Sequence, residues 1–186
     1  MSLAGRPHAI EAVVQAGTAE SRYLRLGSGM RIVLLLPSRR DLWIGGPLLP
    51  KLAERFCVIV PELPIELQVA MHATRADRTL PAGPPLGMAR WLFGFLDGMG
   101  IERCAIVAER ELAGALCPIV YGDHRIERLA FIGHAVSCGP SGNRVVRAPC
   151  PAFTWTAPPD GRTDEPELLV RQLAAFLGGA EPEAVD

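Results

Sequence analysis

A short apolar segment near the middle of the chain constrains the fold more than any other feature. Residues 104–108 are all apolar and lead, through charged and small residues, into a helical pattern over residues 112–121. Two similar apolar runs occupy residues 32–36 and 56–60. Uninterrupted apolar runs of this length are typical of strands that are covered on both faces, as in a parallel sheet. The sequence therefore predicts an α/β fold.

Strands alternate with helices along most of the chain. Alternation of this kind predicts a mainly parallel central sheet of about six strands with helices on both faces. With 186 residues and no evident linker, we expect a single domain over residues 1–186. The remaining strands are predicted at residues 21–27, 126–132 and 151–156, and the other helices at residues 47–55, 88–99 and 168–177.

The composition excludes several classes of partner. Lys and Arg number 19 against 20 Asp and Glu, and they form no basic block that would attract nucleic acid or anionic lipid. No apolar run approaches the ~18 residues of a membrane span, and the N-terminus has no long apolar signal segment. We therefore expect a cytoplasmic protein that binds neither nucleic acid nor a membrane.

Cofactors and metals are not expected. The pairs Asp123 with His124, and His72 with Asp77, lack the third partner that a metal site needs. The five cysteines are odd in number and widely spaced, which predicts thiols in a reducing compartment. A disulfide between Cys138 and Cys150 is the alternative.

Five segments of the chain, in the same order, resemble segments of the α/β-hydrolase superfamily. The first two, GMRIVLLLP and FCVIVPELP, resemble the strand before the family's oxyanion segment and the strand written VIAPDLPG in the family. The others resemble the helix before the nucleophile, the strand VRSLVLIG and the closing helix. The resemblance extends over about residues 23–176 and implies the fold of that family. The segments are residues 29–37, 56–64, 92–103, 126–133 and 166–178.

The resemblance fails at the nucleophile. In the family a Ser, Cys or Asp stands on a tight turn between glycines, directly after the central strand. Alignment from the preceding helix places Arg110 at that position, and alignment from the following helix places Glu111 there. Glu111 is the better catalytic candidate, because a carboxylate at a helix N-terminus is stabilised by the helix dipole. The alternative is that Glu109, Arg110 and Glu111 are solvated charges at the start of a helix.

The oxyanion segment and the cap differ from the family as well. Ser38, Arg39 and Arg40 follow Pro37 where the family has His-Gly, and proline has no backbone N–H to donate. The connection over residues 133–151 is too short for the family's helical cap, so we expect a capless protein.

The catalytic base is also missing from its place in the family. No histidine lies between the last predicted strand and the closing helix. Asp160, at the acid position, therefore has no base to orient. His134 follows a predicted strand at the carboxyl edge of the sheet and is a weaker candidate, because a lone histidine is more often structural.

These departures predict a protein that has lost the hydrolytic triad and acts by binding, as an accessory or assembly subunit. Arg39, Arg40 and Arg110 are expected to meet at the carboxyl edge of the sheet, where they would bind a small carboxylate ligand or an acidic residue of a protein partner. Ser38 and Trp43 complete this predicted binding site. Two alternatives are a hydrolase of small esters or thioesters that uses Glu111, and a structural homodimer.

Overall fold

Three parallel strands that are buried on both faces form the centre of the structure. They are β3 (Arg31–Leu35), β4 (Cys57–Pro61) and β5 (Cys104–Glu109), and all their residues except Arg31 are buried. They coincide with the three apolar runs of the sequence. The computed structural model describes residues 9–36, 49–69, 86–109, 112, 116, 119, 123–134, 150, 152–157 and 165–178.

Four more strands complete a seven-stranded sheet with the order β1-β2-β4-β3-β5-β6-β7. These are β1 (Ile10–Ala16), β2 (Ala19–Leu26), β6 (Ile126–His134) and β7 (Ala152–Ala157). The five neighbouring strands β4, β3, β5, β6 and β7 run parallel to one another. β2 pairs antiparallel with both β1 and β4. The predicted α/β fold with a mainly parallel sheet is confirmed.

β1 is the strand that the sequence did not indicate. Its polar residues Glu11 and Gln15 and its small residues Ala12 and Ala16 give no clear alternation. The strand is half-exposed and owes its position to pairing with β2 over seven residue pairs and to packing against a helix from a distant part of the chain.

Helices cover both faces of the sheet, as predicted. Helix α1 (Leu86–Gly98) packs on one face, and helix α2 (Glu165–Leu177) together with the helical residues 49–53 packs on the other. β3 shows the division, because Val33 and Leu35 contact the first layer and Ile32 and Leu34 the second. Each central strand therefore buries alternate side chains in two separate apolar cores.

Helix α1 approaches β1 so closely that two of its residues must be glycine. A Cβ atom on Gly98 would overlap the carbonyl oxygen of Gln15 and lie 2.8 Å from Val14 Cγ2. A Cβ atom on Gly94 would lie 2.6 Å from the backbone nitrogen of Gly17. The backbones of the helix and the edge strand thus approach each other so closely that no Cβ atom fits on the helix at these two positions.

This contact predicts that Gly98→Ala destabilises the protein by about 1 to 3 kcal/mol, the usual effect of overpacking. In a helix without this contact, alanine in place of glycine would stabilise the protein by about 1 kcal/mol. A fall in the free energy of unfolding would therefore report the contact with β1. The free energy of unfolding should be measured in urea. Gly87→Ala in the same helix is the control, because its Cβ would meet only the flexible Leu67 side chain, at 3.2 Å. Equal or greater stability of Gly98→Ala would contradict the contact.

An ion-pair network joins the end of α1 to the beginning of β6. Asp123 is buried and accepts hydrogen bonds from the Arg125 backbone N–H at 2.9 Å and from the Arg125 guanidinium. The guanidinium also contacts Asp97 of α1. The side-chain hydrogen bonds from Arg125 hold the pKa of the Asp123 carboxyl below its usual range. The network lies at the amino end of the sheet, where it stabilises the contact between α1 and the segment before β6.

We expect Asp123→Asn to lower the free energy of unfolding by about 1 to 3 kcal/mol at neutral pH, because it removes hydrogen bonds to a charged group. The carboxyl has a lower pKa in the folded protein than in the unfolded chain. Its contribution is therefore fully present above the unfolded value of about 3.9 and is lost as the pH falls through the folded value. Urea titrations of both proteins between neutral and acid pH should show the difference shrinking in acid. If the difference in the free energy of unfolding between the two proteins grew in acid, the pKa of Asp123 would not be lowered by folding.

Candidate functional site

The carboxyl edge of the parallel strands is the place where ligands bind in open α/β sheets, and it is the candidate site here. Strands β5, β6 and β7 end at this edge with Glu109, His134 and Ala157. In the strand register Glu109 pairs with Ile132, and His134 pairs with Ala157. The three strands therefore end next to one another, with His134 and Ala157 at one level and Glu109 two residues before it.

Glu109 is the buried charged residue of this edge. It is the last residue of β5, and only 9% of it is exposed to solvent. The interpretation of Glu109 as a solvated charge at the start of a helix is therefore wrong, because the residue belongs to the strand and is buried with it. A buried carboxylate is costly unless it is paired, which makes Glu109 a residue with a defined environment. Sequence reasoning missed it, although it follows five apolar residues with no turn residue between.

His134 lies on the strand next to Glu109. Its backbone is two residues beyond Ile132, the partner of Glu109 in the register. The sequence predicts that His134 follows this strand, and the structure extends β6 by two residues so that His134 ends it. Its role as a catalytic candidate stays a prediction. The topology thus brings the positions of a glutamate and a histidine to adjacent strand ends, which is where an acid–base pair could act.

The other predicted site residues fall outside the described part of the chain, so their roles stay predictions. In the sequence, residue 37 directly follows the buried Leu36 and residue 110 directly follows Glu109. The residues concerned are Ser38, Arg39, Arg40, Trp43, Arg110, Glu111 and Asp160.

The segment after β5 contributes its apolar residues to the core. Leu112, Leu116 and Ile119 are buried on the same face of the sheet as α1, and Leu116 and Ile119 are helical. The resemblance expects a small residue in place of Glu109 or of Leu112, depending on the alignment, and the Leu112 side chain is accommodated with 1% exposure. Every positive φ angle among the described residues belongs to a glycine.

Two of the described thiols, those of Cys57 and Cys104, are not suited to nucleophilic catalysis. Cys57 and Cys104 are both buried. Burial, together with the negative charge of Asp123, raises the pKa of the Cys104 thiol to about 12. The reactive form of cysteine is the thiolate, so Cys104 is inert at neutral pH. Cys117 and Cys138 lie outside the described residues, and with Cys138 so does the alternative of a disulfide to Cys150.

The described ranges hold neither a cluster of metal ligands nor a membrane-spanning helix. No three His, Cys, Asp or Glu side chains of these ranges come together as the ligands of a metal ion would. Among the same residues, no helix combines the length and the apolar character needed to cross a membrane.

A groove of about 520 Å³ lies on the second face of the sheet, between residues 51–55 and helix α2. Lys51 forms an ion pair with Glu167 across it. Arg55 and Arg171 also line the groove, and neither has an ion-pair partner among the described residues. The groove is therefore a shallow surface with two available guanidinium groups, which suit acidic groups.

Comparisons with known proteins bear on the fold. No protein-family model matches the sequence, and no curated protein matches it. Among solved structures, a haloalkane dehalogenase from Bradyrhizobium elkani is similar with a TM-score of 0.50 and 17% identity, over 67% of this chain and 42% of that chain. A 2-hydroxy-6-oxo-6-phenylhexa-2,4-dienoate hydrolase from Rhodococcus has a TM-score of 0.49 and 24% identity, over 68% of this chain and 46% of that chain.

A carboxylesterase from Bacillus subtilis is similar to the same degree, with a TM-score of 0.49 and 12% identity over 67% of this chain and 43% of that chain. The chain matches less than half the length of each of these three structures. At such low identity the likeness concerns the fold and not the activity. The strand order, the two helical layers and the structural similarity together establish that the chain has the α/β-hydrolase fold.

Proposed function

We propose that this chain is a catalytically degenerate α/β-hydrolase-like protein of one domain that acts by binding, as an accessory or assembly subunit of another protein. The observation that carries the proposal is the end of β5. This strand ends at the buried Glu109, and the residues that follow are Arg110 and Glu111. Neither is the Ser, Cys or Asp that the resemblance requires.

Arginine at this position argues strongly against covalent catalysis. The guanidinium group stays protonated in proteins and has no lone pair for attack on a carbonyl carbon. Because β5 continues through Glu109, Arg110 is the first residue after the strand, which favours it over Glu111 for the nucleophile position. A cation there would attract a carboxylate and could not open an ester.

The sequence offers no evident residue for the catalytic base or for one of the oxyanion donors. The connection from β7 to α2, residues 158–164, contains no histidine that could act as the base. Pro37 follows β3 and Leu36, where a backbone N–H would be needed to stabilise an oxyanion. Loss of the nucleophile, the base and one oxyanion donor together supports a binding role more than a weakened enzyme.

The ligand that fits these residues is anionic. Arg39 and Arg40 follow β3, and Arg110 follows β5, the strand paired with β3. We propose that these three arginines bind a small carboxylate or an acidic side chain of a protein partner, with Ser38 and Trp43 beside them. A planar guanidinium donates two parallel hydrogen bonds to a carboxylate, which favours this class of ligand.

A second candidate is an active hydrolase of small esters or thioesters. It is favoured by the buried Glu109 and the neighbouring position of His134 at the edge where the family's chemistry takes place. In this case Glu111 would be the nucleophile or the base. The third candidate is a structural homodimer, which needs no foreign partner.

We expect the purified protein to show no turnover of short-chain nitrophenyl esters or thioesters above the uncatalysed rate. Wild type should be compared with Glu111→Gln and with Glu54→Gln, an exposed glutamate away from the carboxyl edge. Loss of a working acid–base group lowers the rate by roughly 10²- to 10⁴-fold. Wild-type turnover that disappears in Glu111→Gln and persists in Glu54→Gln would establish the hydrolase instead.

The binding proposal predicts that a small dicarboxylate such as succinate raises the midpoint of thermal unfolding, because a ligand that binds the native state stabilises it. Arg110→Gln should remove most of this effect. Arg25→Gln, which alters an exposed arginine of β2, should leave it unchanged. Absence of any shift in the wild type, or equal loss in both variants, would argue against a carboxylate site at Arg110.

A further inference from the structure

β1 forms an open edge of the sheet. Among the described strands it pairs only with β2, so the backbone N–H and C=O groups along its other side have no strand partner. Two of its large apolar side chains are exposed, Ile10 and Val13, each to 54%. An exposed apolar edge strand is a template for pairing with another strand.

The usual protections of an edge strand are missing from β1. Residues 10–16 contain no lysine and no proline. The register with β2 runs from Ile10 opposite Arg25 to Ala16 opposite Ala19 without a bulge. Glu11 is the single charge in the strand. Natural proteins use lysine, proline and bulges to prevent pairing at the edge of a sheet, and their absence from β1 indicates that this edge pairs with another strand.

We propose that a second copy of this chain pairs with this edge, β1 against β1, antiparallel and with the two-fold axis at Val13. Ile10 then lies opposite Ala16 of the second copy, Glu11 opposite Gln15, Ala12 opposite Val14, and Val13 opposite itself. A symmetric pairing of this kind is the usual geometry of a dimer. It joins the two seven-stranded sheets into one continuous sheet.

Side-chain chemistry selects this register. Because side chains alternate along a strand, Glu11, Val13 and Gln15 share one face, and residues 10, 12, 14 and 16 share the other. The proposed register sets the two polar residues of the first face opposite each other and keeps the second face entirely apolar. A shift by two residues would place Glu11 opposite Val13, which leaves the carboxylate beside an apolar side chain.

Charge also permits the pairing. The two Glu11 residues are four residues apart along the joined strands, roughly 14 Å at about 3.4 Å per residue. This separation exceeds the Debye length of about 8 Å at physiological salt, so their repulsion is screened. Arg22 of β2 is paired with Val13 in the register and brings a positive charge close to the two-fold axis.

The edge is held in position before a partner arrives. Helix α1 contacts β1 at Gly94 and Gly98, and Val14 packs partly into the core. A preorganised strand loses little conformational freedom on association, which favours binding. The strand is its own complement in sequence, and this is the reason to prefer a second copy over a different protein.

The first test is the oligomeric state of the wild type, Val13→Lys and Ile65→Lys by sedimentation velocity over a range of concentrations. We expect a concentration-dependent dimer in the wild type. Val13→Lys sets two ammonium groups opposite each other at the axis and should weaken the dimer by at least tenfold. Ile65→Lys changes an apolar residue of similar exposure, 64%, away from the edge and should leave the dimer unchanged. A monomeric wild type, or equal weakening by both variants, overturns the proposal.

The second test fixes the register by cross-linking. Val13→Cys places two thiols opposite each other at the axis, within the Cα separation of about 4.4 to 6.8 Å that a disulfide needs. Mild oxidation should therefore link Val13→Cys into a dimer that reducing agent reverses. Gln15→Cys, four residues from its own copy, should not link, and the wild type controls for native cysteines. Linkage of Gln15→Cys but not Val13→Cys would refute this register.

The dimer proposal does not depend on the binding function proposed above. Its failure would leave the carboxylate site at Arg110 untouched, and the ester and succinate experiments do not report on the β1 edge.

Discussion

Burial of β3, β4 and β5 on both faces is the constraint on which the rest of the structure depends. A parallel strand without a polar face needs a helical layer on each side, and α1 and α2 supply these layers. Charged residues are therefore confined to the strand ends, as Arg31 is at the start of β3 and Glu109 is at the end of β5. The position of Glu109 in the candidate site follows from this confinement, whereas the ion-pair network of Asp97, Asp123 and Arg125 lies outside these strands, at the opposite end of the sheet.

The parts of the fold that could be predicted are those with a local signal. The three apolar runs have no polar position, so they could only be fully buried strands, and the structure confirms them. The end of α1 could be predicted because a glycine, Gly100, follows it. Glycine readily adopts the positive φ that often ends a helix, and in the structure this φ is 59°. β1 could not be predicted, because its burial arises from Gly94 and Gly98, about 80 residues further along the chain, and not from its own pattern.

The candidate site could be predicted less well than the fold. Its edge of the sheet and the strand-end position of His134 followed from the sequence pattern. The sequence pattern did not decide whether Arg110 or Glu111 takes the nucleophile position, because the glycines that would mark the turn are absent around them. Glu109 was misjudged for a related reason, since a glutamate among three consecutive charged residues suggests solvent exposure. Its burial is decided by the neighbouring strands β3 and β6, which the local sequence does not encode.

The glycine contact between α1 and β1 has a consequence for how the chain folds during synthesis. The β1–β2 hairpin ends at Leu26 and emerges from the ribosome before α1, which is complete about 70 residues later, a delay of about 4 to 14 seconds at roughly 5 to 20 residues per second. Over this interval the apolar face of the hairpin lacks the helix that covers it, and Val14 and Tyr23 are without their native neighbours. During synthesis the hairpin therefore exposes apolar surface to water until α1 packs against it.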